Sequence, residues 1–301
     1  MFSDEELISI PKKPNVSVIF NINYIYKLTM ANVSGKTGID IKWIRENLNT
    51  KIIGNTILNY DSVDSTNAIA RKMAEGEKEE GTVVLAKMQK RGKGRLDRKW
   101  FSPKGGLWFS IILRPNIDIQ EATKLTLMTS VAVTKTLINL YNLDAKIKWP
   151  NDILVKGKKV CGILSEGKTQ GNKINFFILG IGVNANFTRE EFPVKIRDFA
   201  TTLKEELGKT SSLEELLLSL LNEIDKYYLI LSSDNTNKIL NTWKKMSDTL
   251  GKNVKITTQK DSLEGLALDV DDMGALIVKS KDNTIKKFLA GDCLHVSESL
   301  G

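Results

Sequence analysis

The chain has 301 residues, of which 41% are apolar and 27% charged, with 44 Lys+Arg against 36 Asp+Glu. This composition excludes a disordered, collagen-like or disulfide-framework protein and supplies enough chain for one large and one small domain. The single histidine, His295 near the C-terminus, argues against Ser-His-Asp or Cys-His catalysis and against a His-rich metal site. Residues 1–37 lack periodicity and read as an N-terminal extension in which Met30 is an alternative start. Ile39, Ile41, Ile44 and Leu48 predict a short helix, and Ile52–Tyr60 a strand punctuated by Gly54. Ser65 or Thr66 can cap a helix running to about Glu75. Thr82–Leu85 and Gly106–Leu113 read as strands, and Leu125–Leu140 has the spacing of a buried helix. Ile147–Trp149 and Ile153–Val155 flank a Pro-Asn-Asp turn, and Val160–Leu164 and Ile174–Val183 extend the sheet. Leu213–Leu231 and Ile239–Leu250 follow as helices. Residues 253–298 then change to short alternating strands, which suggests a small β-barrel appended to an α+β domain.

Cys161 and Cys293 lie 132 positions apart with no CxxC, so a pair of reduced thiols is expected. No early apolar stretch is long enough to cross a bilayer, and the N-terminus lacks the basic region of a signal peptide. A cytoplasmic location is expected.

Three constellations carry chemistry. Between Lys87 and Lys104 stand eight Lys/Arg and one acid, a net +7. Within that stretch Gly92 and Gly94 permit tight turns, and Lys93, Arg95 and Arg98 supply charge-assisted donors for an anion. It matches neither GxxxxGK[ST] nor GxGxxG, and an anion site, a nucleic-acid backbone site and a plain basic loop all remain open on the residues alone. Second, Lys148-Trp149-Pro150-Asn151-Asp152 precedes Lys159-Val160-Cys161-Gly162-Ile163-Leu164. It offers a carboxylate beside an amide, for Mg²⁺ or an amine, and a cation leading into an apolar strand. Third, Gly180 and Gly182 remove side chains at i and i+2 of one strand face, where a thin ligand could lie on the backbone.

Taken with Asp64-Ser65-Thr66-Asn67 and the Gln89…Lys93-Gly94-Arg95…Arg98-Lys99-Trp100 loop, these segments occur in the order and spacing of biotin protein ligases. The resemblance spans residues 38–298. It implies a class II synthetase-like catalytic domain, α+β with a central mixed sheet and flanking helices, over residues 38–250. It also implies an SH3-like β-barrel over 251–301. The implied activity is that of a biotin–[biotin carboxyl-carrier protein] ligase. Biotin and ATP with Mg²⁺ give biotinyl-5′-AMP, and biotin is then transferred to a lysine of a biotin carboxyl carrier protein or carboxylase subunit.

By that resemblance Ser65, Thr66, Asn67, Gln89, Gly92, Lys93, Lys159, Gly162, Gly180 and Gly182 bind biotin, with Ser65, Thr66 and Gln89 on the ureido head and the glycines making room for ring and chain. Lys93, Arg95, Arg98, Trp100, Asn151, Lys159 and Asn184 hold ATP or the adenylate. Lys159, Arg95 and Asp152 act in catalysis, Asp152 also as the Mg²⁺ ligand. The chain departs from the family's GRGRxGRxW at Lys93, which lacks the guanidinium fork, and at Asp97, where a left-handed backbone costs more than at glycine. Too little sequence precedes residue 38 for a winged helix-turn-helix, so a monofunctional ligase without DNA binding is expected. Edge strands leave room for a homodimer. A lipoate ligase of the same superfamily is the nearest alternative, and a nucleic-acid-binding regulator using the basic loop a more distant one.

Overall fold

The computed structural model describes residues 39–233, 235–259 and 261–296, and the expected extension over residues 1–37 lies outside them. In chain order the elements are α1 (Ile41–Asn47), β1 (Ile57–Tyr60), α2 (Thr66–Glu75), β2 (Val83–Ala86), β3 (Leu107–Leu113) and α3 (Ala122–Tyr141). There follow β4 (Ala145–Lys148), β5 (Asp152–Val155), β6 (Lys158–Gln170), β7 (Lys173–Val183), α4 (Leu203–Leu207), α5 (Leu213–Ser232) and α6 (Thr236–Met246). The last five strands are β8 (Asn253–Thr257), β9 (Ser262–Val270), β10 (Leu276–Ser280), β11 (Ile285–Phe288) and β12 (Asp292–His295).

β1 to β7 form one mixed sheet in the order β1-β2-β3-β7-β6-β5-β4, parallel only between β1 and β2. Central strands β2 and β3 are buried along their whole length, as strands covered on both faces must be. On one face α2 lays Ala70 and Ala74 against Val84, Ile112, Phe176 and Ile178. The opposite face carries α3: Thr126 Oγ1 lies 2.8 Å from Ser165 Oγ of β6, and Ser165 alternates with the inward Leu164 and Glu166. Helices α5 and α6 pack on α3. The C-terminal strands form a five-stranded antiparallel sheet, order β11-β10-β9-β8-β12. The fold is therefore α+β with a mixed central sheet and a small C-terminal β unit, as expected from the sequence. Among the described residues no helix is long and apolar enough to cross a membrane.

Three of the boundaries that differ from the sequence expectation have a physical reason in the contacts. The strand expected at Ile52–Tyr60 begins only at Ile57, because the preceding backbone is turned inward to a buried carboxylate. Asp225 of α5, 3% exposed, accepts from the N–H groups of Lys51, Ile52 and Ile53, each at 2.9 Å. Strand β6 continues to Gln170, six residues past the expected end, since its polar second half still pairs with β7. Helix α6 ends at Met246 rather than Leu250. Ser247 Oγ accepts from the N–H of Thr249 and Leu250, and Asp248 N–H donates to Ile147 O at 2.7 Å, fixing the chain to the β4 edge.

Two predictions arise. Asp225→Ala leaves three N–H groups of the 51–53 turn unpaired and should lower unfolding free energy by about 3 kcal/mol in urea denaturation. His295 sits in the seam between β12 and the 247–249 turn, with Nε2 3.2 Å from Thr249 Oγ1. Burial first, and then Lys148, pushes its imidazole down to about 4 from 6.5, against the pull of Asp248. Between these values the unfolded chain binds the proton and the folded chain does not, so stability is full above pH 6.5 and falls as pH drops toward 4. Denaturation midpoints measured across that window should fall in the wild type and flatten in His295→Gln.

Candidate active site

Sheet register lays out the floor of a cavity. Trp108, Gly182, Gly162, Asp152 and Lys148 are successive cross-strand partners on β3, β7, β6, β5 and β4, and so project from one face in one row. The adjacent row holds Ser110, Gly180 and Leu164, and the next Ile112, Ile178 and Glu166. Helix α2 covers the last of these rows and ends its N-terminus over Gly180. Beyond that end opens a cavity of about 550 Å³.

The end of the cavity under α2 is neutral and densely hydrogen-bonded. Ser65 caps α2, its Oγ accepting from Ala68 N–H. Thr66 N–H donates to Gln89 Oε1 at 2.8 Å, while Gln89 Nε2 donates to Ser102 Oγ at 2.9 Å. Ser110 Oγ, fully buried, lies 2.6 Å from Asn67 Oδ1 and 2.8 Å from Thr66 Oγ1. Asn67 Nδ2 donates to Glu166 Oε2 at 2.7 Å, and Glu166 Oε1 accepts from Arg71 at 3.2 Å.

The other end is cationic, with six Lys/Arg and only two carboxylates, Asp152 and Asp292, among the lining residues, which favours an anionic ligand. The basic loop is a hairpin. Lys93 pairs with Lys99, Gly94 N–H donates to Arg98 O at 2.7 Å, and Leu96 and Asp97 form its tip at φ +53° and +56°. Asp97 thus holds the left-handed conformation that the sequence comparison anticipated. Arg95 Nη1 reaches Asn151 Oδ1 at 3.2 Å and Gly291 O at 3.1 Å, and Arg98 pairs with Asp292. Burial lowers the Arg95 guanidinium from its ordinary value, yet arginine stays a cation at any working pH. Lys159 Nζ forms an ion pair with Asp152 Oδ1 at 2.6 Å and lies 4.8 Å from the Trp100 ring centre.

The expected residues therefore converge. All of them line the cavity except Gly92, which stands behind the loop against Trp100 O and Ser102. The room made by the floor glycines is already used by side chains of the protein: a Cβ on Gly180 would lie 2.0 Å from Asn67 Oδ1, and one on Gly182 2.5 Å from Trp100 Nε1. Trp100 Nε1 is buried and has no hydrogen-bond partner, and Asn184 Oδ1 likewise, although Asn184 Nδ2 donates to Thr201 O at 3.1 Å. Lys93 is exposed on the loop.

Sequence reasoning missed Ser110, Glu166 and the contribution of the C-terminal sheet. Asp292 and Gly291 meet the basic loop across 194 and 196 positions, a distance at which no local pattern signals a contact. For Ser110 the signal was available, since it stands between Phe109 and Ile111 in an otherwise apolar strand, whereas Glu166 lies between Ser165 and Gly167 in the polar half of β6. Cys293 also lines the cavity. Burial pushes its thiol up to about 12, so at neutral pH it is not a thiolate nucleophile.

Residues 60–184 match the biotin/lipoate A/B protein ligase family, and residues 249–296 the biotin protein ligase C terminal domain. The bifunctional ligase/repressor BirA of Bacillus subtilis is 34% identical over 250 residues, which is 83% of this chain and 77% of that protein. The biotin--[acetyl-CoA-carboxylase] ligase of Paracoccus denitrificans is 32% identical over 72% of this chain and 91% of its own length. Among solved structures, the biotin protein ligase of Aquifex aeolicus in complex with biotin and ATP aligns with a TM-score of 0.69 at 30% identity, covering 80% of this chain and 98% of that one.

The two floor glycines should respond differently to a methyl group. Gly180→Ala drives into an amide fixed by three partners and should cost about 1–3 kcal/mol in urea denaturation, whereas Gly182→Ala meets the Trp100 indole, whose Nε1 makes no hydrogen bond that a shift would break, and should cost under about 1 kcal/mol.

Proposed function

The chain belongs to the biotin protein ligase family, and from that premise we propose how its cavity activates biotin with ATP and passes it to a carrier lysine. The enzyme is an ATP-dependent biotin protein ligase with biotin and ATP as substrates, and its partner is a biotin-accepting carboxylase carrier. One observation supports the assignment of roles above all others. A neutral hydrogen-bonding pocket and a cluster of cations share one sheet face, separated only by the strip floored by Gly162 and Gly182.

Biotin is a neutral cyclic urea joined by an apolar chain to a carboxylate. The polar end around Ser65, Thr66, Asn67 and Gln89 suits the urea, and the glycine strip leaves a thin passage for ring and chain once Trp100 swings aside. The carboxylate then arrives at Lys159, beside Arg95, where the charge of a nucleotide would gather. In the first step a carboxylate oxygen attacks the α-phosphorus of ATP, and pyrophosphate leaves from the same phosphorus. In the second the ε-amine of the carrier lysine attacks the acyl carbon, AMP leaves, and the amine gives up a proton. Neither step requires a covalent bond to the protein, so positioning and charge stabilisation dominate.

Lys159 is the cation suited to the charge at the acyl–phosphate junction in both steps, and the nearby Asp152 keeps it oriented until an anion competes. Arg95, Arg98 and Lys93 neutralise the phosphates, Trp100 offers its ring to the adenine, and Asn151 holds Arg95. Gly92 lets the loop hairpin close against Ser102. Mg²⁺ travels with ATP. Among the described residues no cluster of three or more His, Cys, Asp or Glu exists to cage it, so the protein would contribute few ligands beside those of the nucleotide and water. Asp152 and the unpartnered Asn184 Oδ1 are the protein oxygens suited to complete the set, and the ion supplies charge neutralisation at the phosphates.

The direct test is ATP–pyrophosphate exchange run with biotin, with lipoate and with neither acid. Exchange with biotin alone supports this reading. Exchange with lipoate would reassign the substrate, and no exchange would refute the adenylation step. Lys159→Ala should keep its thermal midpoint within a few degrees while exchange falls by about 10²-fold, the usual loss for one charge-stabilising group. Exchange at the wild-type rate would remove Lys159 from the mechanism.

A further inference from the structure

We propose that Glu166, outside the ligand's reach, sets the direction of the hydrogen bonds at the urea end of the cavity and thereby determines which groups there accept a proton from the ligand. The inference rests on the reading of that end as the biotin head pocket. It follows from counting protons. Asn67 stands between Glu166 and Ser110, with Nδ2 2.7 Å from Glu166 Oε2 and Oδ1 2.6 Å from Ser110 Oγ. A carboxylate only accepts, so it fixes the amide with NH₂ toward Glu166 and the carbonyl toward Ser110. The flipped amide would set its oxygen against the carboxylate.

The consequence passes inward. Ser110 Oγ has one proton and two neighbours at hydrogen-bond distance, Asn67 Oδ1 and Thr66 Oγ1. The amide oxygen cannot donate, so Ser110 gives its proton to Asn67, and the bond between Ser110 and Thr66 is donated by Thr66. The Thr66 hydroxyl is within donating distance of both Ser110 Oγ at 2.8 Å and Gln89 Oε1 at 3.2 Å, and with the Ser110 proton already given to Asn67 its one proton serves the shorter contact, where two bare oxygens would repel most. Its Oγ1 lies 3.2 Å from Gln89 Oε1, which is itself an acceptor oriented by Thr66 N–H and by the Gln89 Nε2 bond to Ser102. Two oxygens with free lone pairs thus stand side by side at the cavity wall, without a proton between them. This pair is built for a donor from the ligand, and an N–H of a cyclic urea is such a donor.

Glu166 is held in place for this work. Its other oxygen accepts from Arg71, which holds the carboxylate in its orientation toward Asn67. Gly180 is the second support, since any side chain there would displace Asn67 and break the relay between Glu166 and Ser110. Glu166 is accordingly a positioning residue, acting through Asn67, Ser110 and Thr66 rather than on the substrate.

The test is Glu166→Gln, which keeps the shape and removes the charge, so that the Asn67 amide and the Ser110 proton lose their fixed sense. The KM for biotin in ATP–pyrophosphate exchange should rise by about tenfold, the effect of one misoriented hydrogen bond to a buried group, with kcat and the KM for ATP unchanged. The thermal midpoint should move little. Ser110→Ala cuts the relay downstream, so adding Glu166→Gln to it should raise the biotin KM no further, a non-additivity that general structural damage would not give. A wild-type biotin KM in Glu166→Gln, additive effects in the double variant, or equal changes in both KM values would overturn the proposal. Absence of biotin-dependent exchange in the wild-type protein would instead overturn the functional reading on which it rests.

Discussion

The site depends on a steric constraint, the absence of side chains at Gly162, Gly180 and Gly182 on one face of the β6–β7 ladder. Because register places Gly162 opposite Gly182, with Gly180 two residues along, the bare strip runs continuously across two strands. Everything nearby is arranged by what that strip admits. The Asn67 amide descends onto Gly180 and joins Ser110 to Glu166, which makes the polar end a connected hydrogen-bond system. The Trp100 indole lies on Gly162 and Gly182, with the Lys159 ammonium over its ring. A β-carbon on any of the three would enter space now held by Asn67 or Trp100, so the packing depends on backbone lying open where most strands present side chains.

A second level of organisation concerns charge. The cations at the far end are held by protein partners that a nucleotide could replace: Lys159 faces Asp152, Arg98 faces Asp292, and Arg95 is shared by Asn151 and the Gly291 carbonyl. The Arg98–Asp292 pair is exposed, and pairs of that kind contribute little to stability, so exchanging it for a phosphate contact costs the fold little. The same contacts join the basic hairpin to the C-terminal sheet. In the proposed function this sheet therefore closes one side of the nucleotide end and supplies the acid that holds Arg98 while no nucleotide is bound.

Much of this arrangement was legible in the sequence, and the failures have a common cause. The glycine pair, the basic loop, Lys148–Asp152 and Lys159 were readable because each constellation is local and its residue types carry the chemistry. Their convergence follows from antiparallel pairing of neighbouring strands. The left-handed backbone at Asp97 was also readable, since a family glycine marks such a position. What escaped notice was nonlocal. Asp225 serves the 51–53 turn from more than 170 positions away, converting half of an expected strand into a turn, and Asp292 reaches Arg98 across 194. Glu166 was hidden for a different reason. It stands in the polar extension of β6, where a charged residue reads as solvent-facing until the register shows it beside Asn67.

Under the proposed function the glycine strip is the passage between the urea pocket and the nucleotide end, and the Trp100 indole lies across it. A crystal structure of the complex with biotin and a non-hydrolysable ATP analogue tests this most directly. The biotin ring and chain should lie over Gly180 and Gly182, with the Trp100 indole displaced toward the nucleotide and the carboxylate beside Lys159. Biotin bound elsewhere, with Trp100 still lying on Gly162 and Gly182, would contradict it.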